Sequence, residues 1–306
     1  MDAHVIIATK GRPDETATLV RQLADQSKTP SSVIVVGASP ADIASVERNA
    51  TSSSLRIEAF VNSTAGSSIQ RNAGVEKIIE LGLFDVTDAN SFIAFFDDDF
   101  RPSQDWLAHA EKVFSSDETL LGLTGNVLAD GVKTAGLSER DAAAFLAGER
   151  PPQKHWASGA TQRELDAVYG CNMAFRGDVF DECRFDENLP LYAWQEDRDF
   201  TGQVRKRGKV VYTPQCTGVH LGVKRGRTSG VRFGYSQIAN PLYLTQKGTM
   251  SGHRTRMFLL RAVASNSLQI ARFSKEVDYA GRLKGNAMAI FDLARGRCRP
   301  QRILDF

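Results

Sequence analysis

Three consecutive aspartates, Asp97, Asp98 and Asp99, end the apolar run Ile93-Ala-Phe-Phe96. Like charges at this spacing raise one another's pKa unless a cation neutralises them. Hard oxygen ligands packed so closely suit Mg²⁺ or Mn²⁺, particularly an ion that also holds phosphates. A run that is apolar at every residue reads as a strand covered on both faces, and strand carboxyl ends are where open α/β sheets bind ligands. Taken alone, the stretch also reads as a solvated turn with helix-capping acids. A second candidate is the basic, glycine-containing segment Lys224-Arg-Gly-Arg-Thr228, where cations beside flexible backbone could close over a diphosphate as a lid.

The elements that position these residues follow from period and punctuation. Apolar runs at 4–8, 32–36 and 55–61 alternate with helical patterns around Leu19 to Leu23, from Asp42 to Arg48 and from Gly66 to Leu81. After the aspartate strand, Pro102 and Asp105-Trp-Leu open another helix that ends near Ser115. Such alternation predicts an α/β fold with a mainly parallel sheet and helices on both faces. Residues 130–168 are polar, with Pro151-Pro152 and several glycines, and read as an excursion over the site. Order resumes at Tyr169-Gly-Cys-Asn-Met-Ala-Phe-Arg176, then at Val210-Val-Tyr212 and Gly218-Val-His-Leu-Gly222. Lys224 to Gly234 reads as a mobile loop. From about Gln237 to Leu293 the pattern is helical, with Phe258, Leu259, Leu260 and Val263 on one apolar stripe.

A chain of 306 residues, 42% hydrophobic, can bury one large core or a core with a small appendage. Its four cysteines (Cys171, Cys183, Cys216, Cys298) are scattered without metal spacing and read as thiols of a reducing compartment. No apolar stretch approaches the roughly 18 residues of a membrane span, and no signal-type N-terminus is visible, so the expected setting is the cytoplasm. The net charge of +2 conceals a split: residues 205–306 carry 20 Lys/Arg against four acids, and the rest carries 18 against 32. A basic third of this kind meets nucleotide, nucleic acid or anionic lipid, or is a basic helical tail.

The motifs also have an order. An opening strand runs into Thr9 and Arg12-Pro13; Arg71-Asn72 with Gly74 follows. Then come Asp97-Asp98-Asp99 with Pro102, the GCNMAFR segment, Glu196-Asp197 and His220. In that order, over residues 3–222, the chain resembles family 2 glycosyltransferases with the GT-A fold, of the kind that builds bacterial exopolysaccharide and other cell-surface polysaccharides. The resemblance implies a GT-A catalytic domain over 1–222 and a basic loop with helical extension, on the acceptor or membrane side, over 223–306. It implies transfer of a sugar from a nucleotide-diphosphate donor to a saccharide acceptor, with Mn²⁺ or Mg²⁺ neutralising the diphosphate that leaves. Asp99 is then the direct metal ligand, Asp97 reaches metal or ribose, and His220 completes the metal site, although a lone histidine is more often structural. Asp98 falls on the opposite side if strand geometry continues. Asp197 is implied as the base and Glu196 as its support, in a segment that a helix N-terminus near Asp199 would equally favour. One base and one displacement give inversion at the anomeric carbon.

Donor contacts implied by the resemblance are Thr9, Arg12, Arg71, Asp97 and Asp98. The donor expected from the resemblance is a UDP-sugar. Relatives commonly place an aspartate for uracil after the second strand, whereas this chain has Gly37-Ala-Ser39. That departure counts against uridine unless Ser39 or a backbone group takes the role. Tyr169, Asn172 and Trp194 are acceptor-side candidates, because aromatic faces stack on sugars. A polyprenyl-diphosphate-linked acceptor would lie at the inner membrane face. The basic third would attract the enzyme there, with Arg254, Arg256, Arg261 and Arg272 sharing a segment with Phe258, Leu259 and Leu260. The alternatives are a nucleotidyltransferase, for which Thr9-Lys-Gly-Arg-Pro13 is a poor phosphate loop, and a nucleotide-sugar-binding protein without transfer. Nucleic acid is not expected, since the acidic two-thirds repel a phosphate backbone.

Overall fold

The computed structural model describes residues 1–50, 55–87, 89–226, 229–273 and 277–306. Strands β1 (Asp2–Thr9), β2 (Ser32–Gly37), β3 (Ile57–Val61) and β4 (Ser91–Asp97) lie in the order β3-β2-β1-β4, all parallel. Helices α1 (Pro13–Ala24), α2 (Pro40–Ala50) and α3 (Ser67–Glu80) connect them. Parallel strands need such crossovers, and the result is that all four carboxyl ends share one edge. The apolar run of β4 divides by strand period: Phe92, Ala94 and Phe96 enter a core with Leu19, Val35 and Trp106. Ile93 and Phe95 enter another with Ile6, Ile78 and Phe200 on the opposite face.

The sheet continues through β5 (Phe100–Pro102), β6 (Leu120–Asp130), β7 (Arg163–Glu164), β8 (Asn172–Arg176) and β9 (Lys209–His220), in the order β4-β8-β6-β9-β5, with β7 on β9. Here β8 is antiparallel to both β4 and β6, while β6 and β9 are parallel. Helices α4 (Trp106–Ser116), α5 (Glu139–Leu146) and α6 (Glu196–Val204) flank this half. Sequence reading did not assign β5 or β6, and the expected excursion over 130–168 contains α5 and β7; in β6, Gly122, Thr124, Gly125 and Asn126 interrupt the apolar pattern. Its neighbours explain them. A Cβ on Gly122 would lie 2.6 Å from the Phe175 ring, and the Thr124 hydroxyl donates to Asn172 Oδ1 at 2.8 Å.

Among the described residues, helices α7 (Gly230–Lys247), α8 (Gly252–Ala271) and α9 (Tyr279–Ala294) follow, and then a short 3-10 helix at Pro300–Asp305. α7 starts within the segment expected to be a loop, capped by the Ser229 side chain; Arg227 and Thr228 lie outside the described residues. The expected apolar stripe on α8 splits. Phe258 meets Trp194 edge to face, and Leu259 and Val263 pack with Tyr235 and Ile238, whereas Leu260 is 72% exposed. Leu260 follows Leu259 by about 100° of helix rotation, enough to turn it outward.

Candidate active site

Asp97 closes β4, and Asp98 and Asp99 form the turn into β5, so strand alternation stops there. Each aspartate meets a protein cation, and Arg12 is shared between Asp98 and Asp99. Asp97 Oδ1 accepts from Arg71 at 3.0 Å. Asp98 accepts from Arg12 Nη1 at 2.8 Å and from the Thr9 hydroxyl at 2.8 Å, which turns it toward the first loop. Asp99 Oδ2 accepts the Val223 N–H at 2.7 Å, and His220 Nε2 stands 3.2 Å from Oδ1. The repulsion expected of the triplet is thereby offset unevenly. Burial and the Asp99 charge push Asp98 up to about 7, against Arg12. Burial also acts on Asp99, but His220, Arg12 and the Val223 N–H overcome it and hold the carboxyl well below its ordinary range.

Asp97, Asp99 and His220 each place one ligand atom within 4.8 Å of the others. Two ligands trans across Mg²⁺ at 2.0–2.1 Å would be about 4.2 Å apart, so closing on an ion needs only small movements. Asp99 Oδ1 is buried and accepts no hydrogen bond among the described residues. The donor set of two carboxylates and an imidazole suits Mn²⁺ as well as Mg²⁺. Behind His220, Asp130 Oδ1 lies 3.3 Å from Nδ1, the partner that directs Nε2 toward the cluster. Burial lowers His220, yet Asp99 and Asp130 together raise it well above the usual imidazole value.

Arg71, from α3, joins the aspartates to the acid pair. Its guanidinium reaches Asp97, Glu196 Oε1 and the Gly170 carbonyl, the last at 3.1 Å. Asp197 Oδ2 accepts the Gly170 N–H at 3.1 Å and Oδ1 the Arg198 N–H at 2.7 Å. Gly170 lets the acid pair come close: a Cβ there would stand 3.1 Å from Glu196 Oε1, so that carboxylate would have to shift by a few tenths of an ångström. Burial and the Asp197 charge push Glu196 up to about 8, against Arg71. Burial also raises Asp197, against Arg198 and the Gly170 N–H, which moves its titration toward neutral pH. Leu191, Ala193 and Gln195 all have positive φ (59°, 49° and 76°) just before the pair. Such strain persists only where surroundings impose it. Here Ser67 N–H binds the Leu191 carbonyl at 2.9 Å and Asn240 the Trp194 carbonyl at 2.8 Å.

The remaining expected residues fall in distinct places. Ser39 donates its hydroxyl to Asp42 Oδ2 at 2.9 Å; Asp42 also accepts from the N–H groups of Gly11, Ala38 and Ser39, tying the loops after β1 and β2. Arg12 additionally holds the carbonyls of Val223 and Arg225 at 2.9 Å each, so it anchors the start of the basic loop to the aspartates. Tyr169 donates to Asp130 Oδ2 at 2.8 Å. Trp194 sits half-buried between Phe233 and Phe258. Asn172 is fully enclosed in β8, bound to Thr124, and supports Tyr169 from behind.

No protein-family model matches the sequence, and no curated protein sequence does. Solved structures do match. A mannosyltransferase from Pyrobaculum calidifontis, PcManGT with GDP-Man and Mn²⁺, is 15% identical with TM-score 0.57, over 99% of this chain and 84% of that one. S. aureus TarS 1-349 with UDP is 16% identical with TM-score 0.55, over 90% and 76%. GalNAc-T7 with UDP, GalNAc and Mn²⁺ is 12% identical with TM-score 0.55, over 100% and 56%. The fold is that of the GT-A glycosyltransferases. Against the longer TarS chain, the match spans 39% of that protein's length.

Within this GT-A sheet, sequence reading missed Asp130, His155 and Gln70. Asp130 ends β6 as Asp97 ends β4; an acid closing an apolar strand was the available signal, hidden because β6 itself was not assigned. His155 Nε2 lies 3.3 Å from Asp130, and His155 and Trp156 stack around Tyr169, so the polar excursion does contribute a wall to the site. Buried Gln70 bonds the Thr9 and Val36 carbonyls at 3.0 and 2.7 Å, a role nothing in its local sequence marks.

Proposed function

We propose that this GT-A chain is an inverting, metal-dependent glycosyltransferase of the family 2 kind. The single observation that carries the reading is one connected cluster: Asp97, Asp99 and His220 converge on a cation-sized space, and Arg71 links Asp97 to buried Glu196, whose half-buried neighbour is Asp197. A nucleotide-diphosphate sugar, UDP-linked in the first instance, lies along the carboxyl edge of β1, β2 and β4. Asp97, Asp99 and His220 would hold Mn²⁺ or Mg²⁺, which would supply positive charge to a departing diphosphate. Arg12, Thr9 and Asp98 shape the pocket from the first loop, with Ser39 and the loop backbone beside the base. Asp197 takes the proton of the attacking acceptor hydroxyl, and its two backbone donors fix its orientation. Glu196 and Arg71 hold that segment against the metal side. Tyr169 and Trp194 offer ring faces to a saccharide acceptor, carried on polyprenyl diphosphate and extended in polysaccharide synthesis. Residues 1–222 form the catalytic unit and 223–306 the acceptor-side extension, placing the enzyme at the inner membrane face. The complexes of PcManGT with GDP-Man and Mn²⁺ and of TarS with UDP support a nucleotide-linked donor.

A thermal-shift panel of nucleotide-sugars, with and without Mn²⁺, tests this. A donor at 100 times its Kd stabilises by about 2.7 kcal/mol, and the shift is expected only with metal present. Slow metal-dependent release of sugar from the same donor is the accompanying signature. Absence of any shift across the panel, or shifts indifferent to metal, would overturn the reading.

A further inference from the structure

Helices α8 and α9 bury small and polar residues beside their inward apolar contacts and leave a second set of apolar residues outside. On α8 the buried positions are Thr255, Ala262 and Asn266, and on α9 they are Gly285, Asn286, Ala289 and Asp292. The polar ones are satisfied within the bundle: Asn266 donates to Gln237 at 2.9 Å and to Asn286 at 2.8 Å, and Tyr235 donates to Asp292 at 3.0 Å. The opposite side of α8 carries Leu260, Ala264, Leu268 and Ala271, at i, i+4, i+8 and i+11, all exposed. On α9 the outward residues include Ile290, Phe291 and Leu293. Phe291 is 52% exposed, Leu268 49%, and Phe273, just past the end of α8, 85%. A surface helix of a water-soluble protein carries an apolar stripe toward the core and a polar outer face, whereas α8 has apolar residues on both sides.

Charge says which apolar medium these faces meet. At 100° per residue, exposed Arg256 flanks the α8 stripe on one side and exposed Arg261 and Arg272 on the other. On α9, Arg295 lies 3.6 Å over the exposed Phe291 ring. Apolar side chains in the centre with arginines along the rim match a bilayer interface, where rings and aliphatic groups enter the acyl boundary and guanidinium groups stay with anionic headgroups. We infer that the outward faces of α8 and α9 seat this chain on an anionic lipid bilayer. The face differs from the one expected from sequence, because Phe258 and Leu259 point inward and Arg254 pairs with Asp166. The inner side of α8 meets the site: Phe258 packs on Trp194, two residues before Glu196. The inference extends the lipid-linked-acceptor reading and is tested apart from it.

Flotation of the full chain with phosphatidylcholine vesicles containing zero to about 40% phosphatidylglycerol, at low and high salt, provides the test. Binding is expected to rise with anionic content and fall with salt. Arg261→Gln/Arg272→Gln should weaken partition about fivefold per charge removed. Leu268→Glu/Phe291→Glu should abolish partition while leaving hydrolysis of a soluble nucleotide-sugar unchanged, which also shows that the variant folds. Vesicle binding without sugar release in the wild type would sustain this inference and defeat the transferase reading. Wild-type protein that stays unbound at every composition overturns it, as does a double-Glu variant that binds like wild type. So does a lipid-free dimer that Leu268→Glu/Phe291→Glu dissociates, since a second copy would then cover the face.

Discussion

Replacing Arg71 with Met tests whether one buried guanidinium ties the two halves of the site together. Arg71 is 4% exposed and meets Asp97, Glu196 and the Gly170 carbonyl. Methionine keeps much of the apolar stem but removes the charge. Breaking a buried ion pair from one side costs about 3–5 kcal/mol, because the partner charge stays buried. Asp97 contributes little of this, since its side chain is 32% exposed and screened. Glu196, at 11%, contributes most. The cost therefore depends on pH, and Glu196 sets the sign. Its folded pKa of about 8 lies above the ordinary 4.5. The stability it contributes is full below the lower value and is lost as pH rises through the upper one. Without Arg71 the carboxyl titrates higher still, so the variant loses most at alkaline pH. Near pH 5.5, where Glu196 is protonated in the fold, the substitution should cost about 1–2 kcal/mol, the worth of the lost hydrogen bonds. Near pH 8.5 it should cost about 1 kcal/mol more, about 2–3 kcal/mol in all. A wild-type carboxyl that titrates at about 8 is only partly ionised there, and the variant can keep its proton. Urea unfolding followed by circular dichroism at the two pH values measures both. In a Glu196→Gln background the alkaline cost should fall to the acidic one. Equal costs at the two pH values, or less than about 1 kcal/mol at the higher, would refute the assignment.

Asp99→Asn should abolish metal-dependent donor binding. It should also lower the melting temperature of metal-free protein, by the equivalent of about 1–3 kcal/mol, because His220, Arg12 and the Val223 N–H all favour the ionised carboxylate; a raised melting temperature would count against those contacts. Asp197→Asn should reduce kcat by about 10²–10⁴-fold with donor affinity nearly intact, and an NMR spectrum of the wild-type product should show inverted anomeric configuration. Asp130→Asn should weaken Mn²⁺ binding by about 10–100-fold in titration calorimetry without unfolding the chain; unchanged affinity would mean that Asp130 does not hold His220 for the metal.

Much of the fold was legible because β1, β2 and β4 are buried on both faces and so consist of continuous apolar runs. Apolar continuity and helical period are local properties, and they located the parallel half, its crossovers and the edge where Asp97 to Asp99 emerge. The types of Glu196, Asp197 and His220, and their order along the chain, were also in the sequence. Strand β6 was not, because its glycines and polar residues are compensated by Phe175 and Asn172 from β8, partners some fifty residues away. With β6 went Asp130. Two further matters were decided only by the tertiary structure. One is that each aspartate has a protein cation, Arg71, Arg12 or His220, since long-range pairing alone sets which charges neutralise which. The other is the side α8 and α9 turn outward. Composition placed arginine and leucine on the same helices, but a helix that buries asparagine and exposes leucine has its inner face chosen by a buried amide network, and period alone does not say which stripe that network claims.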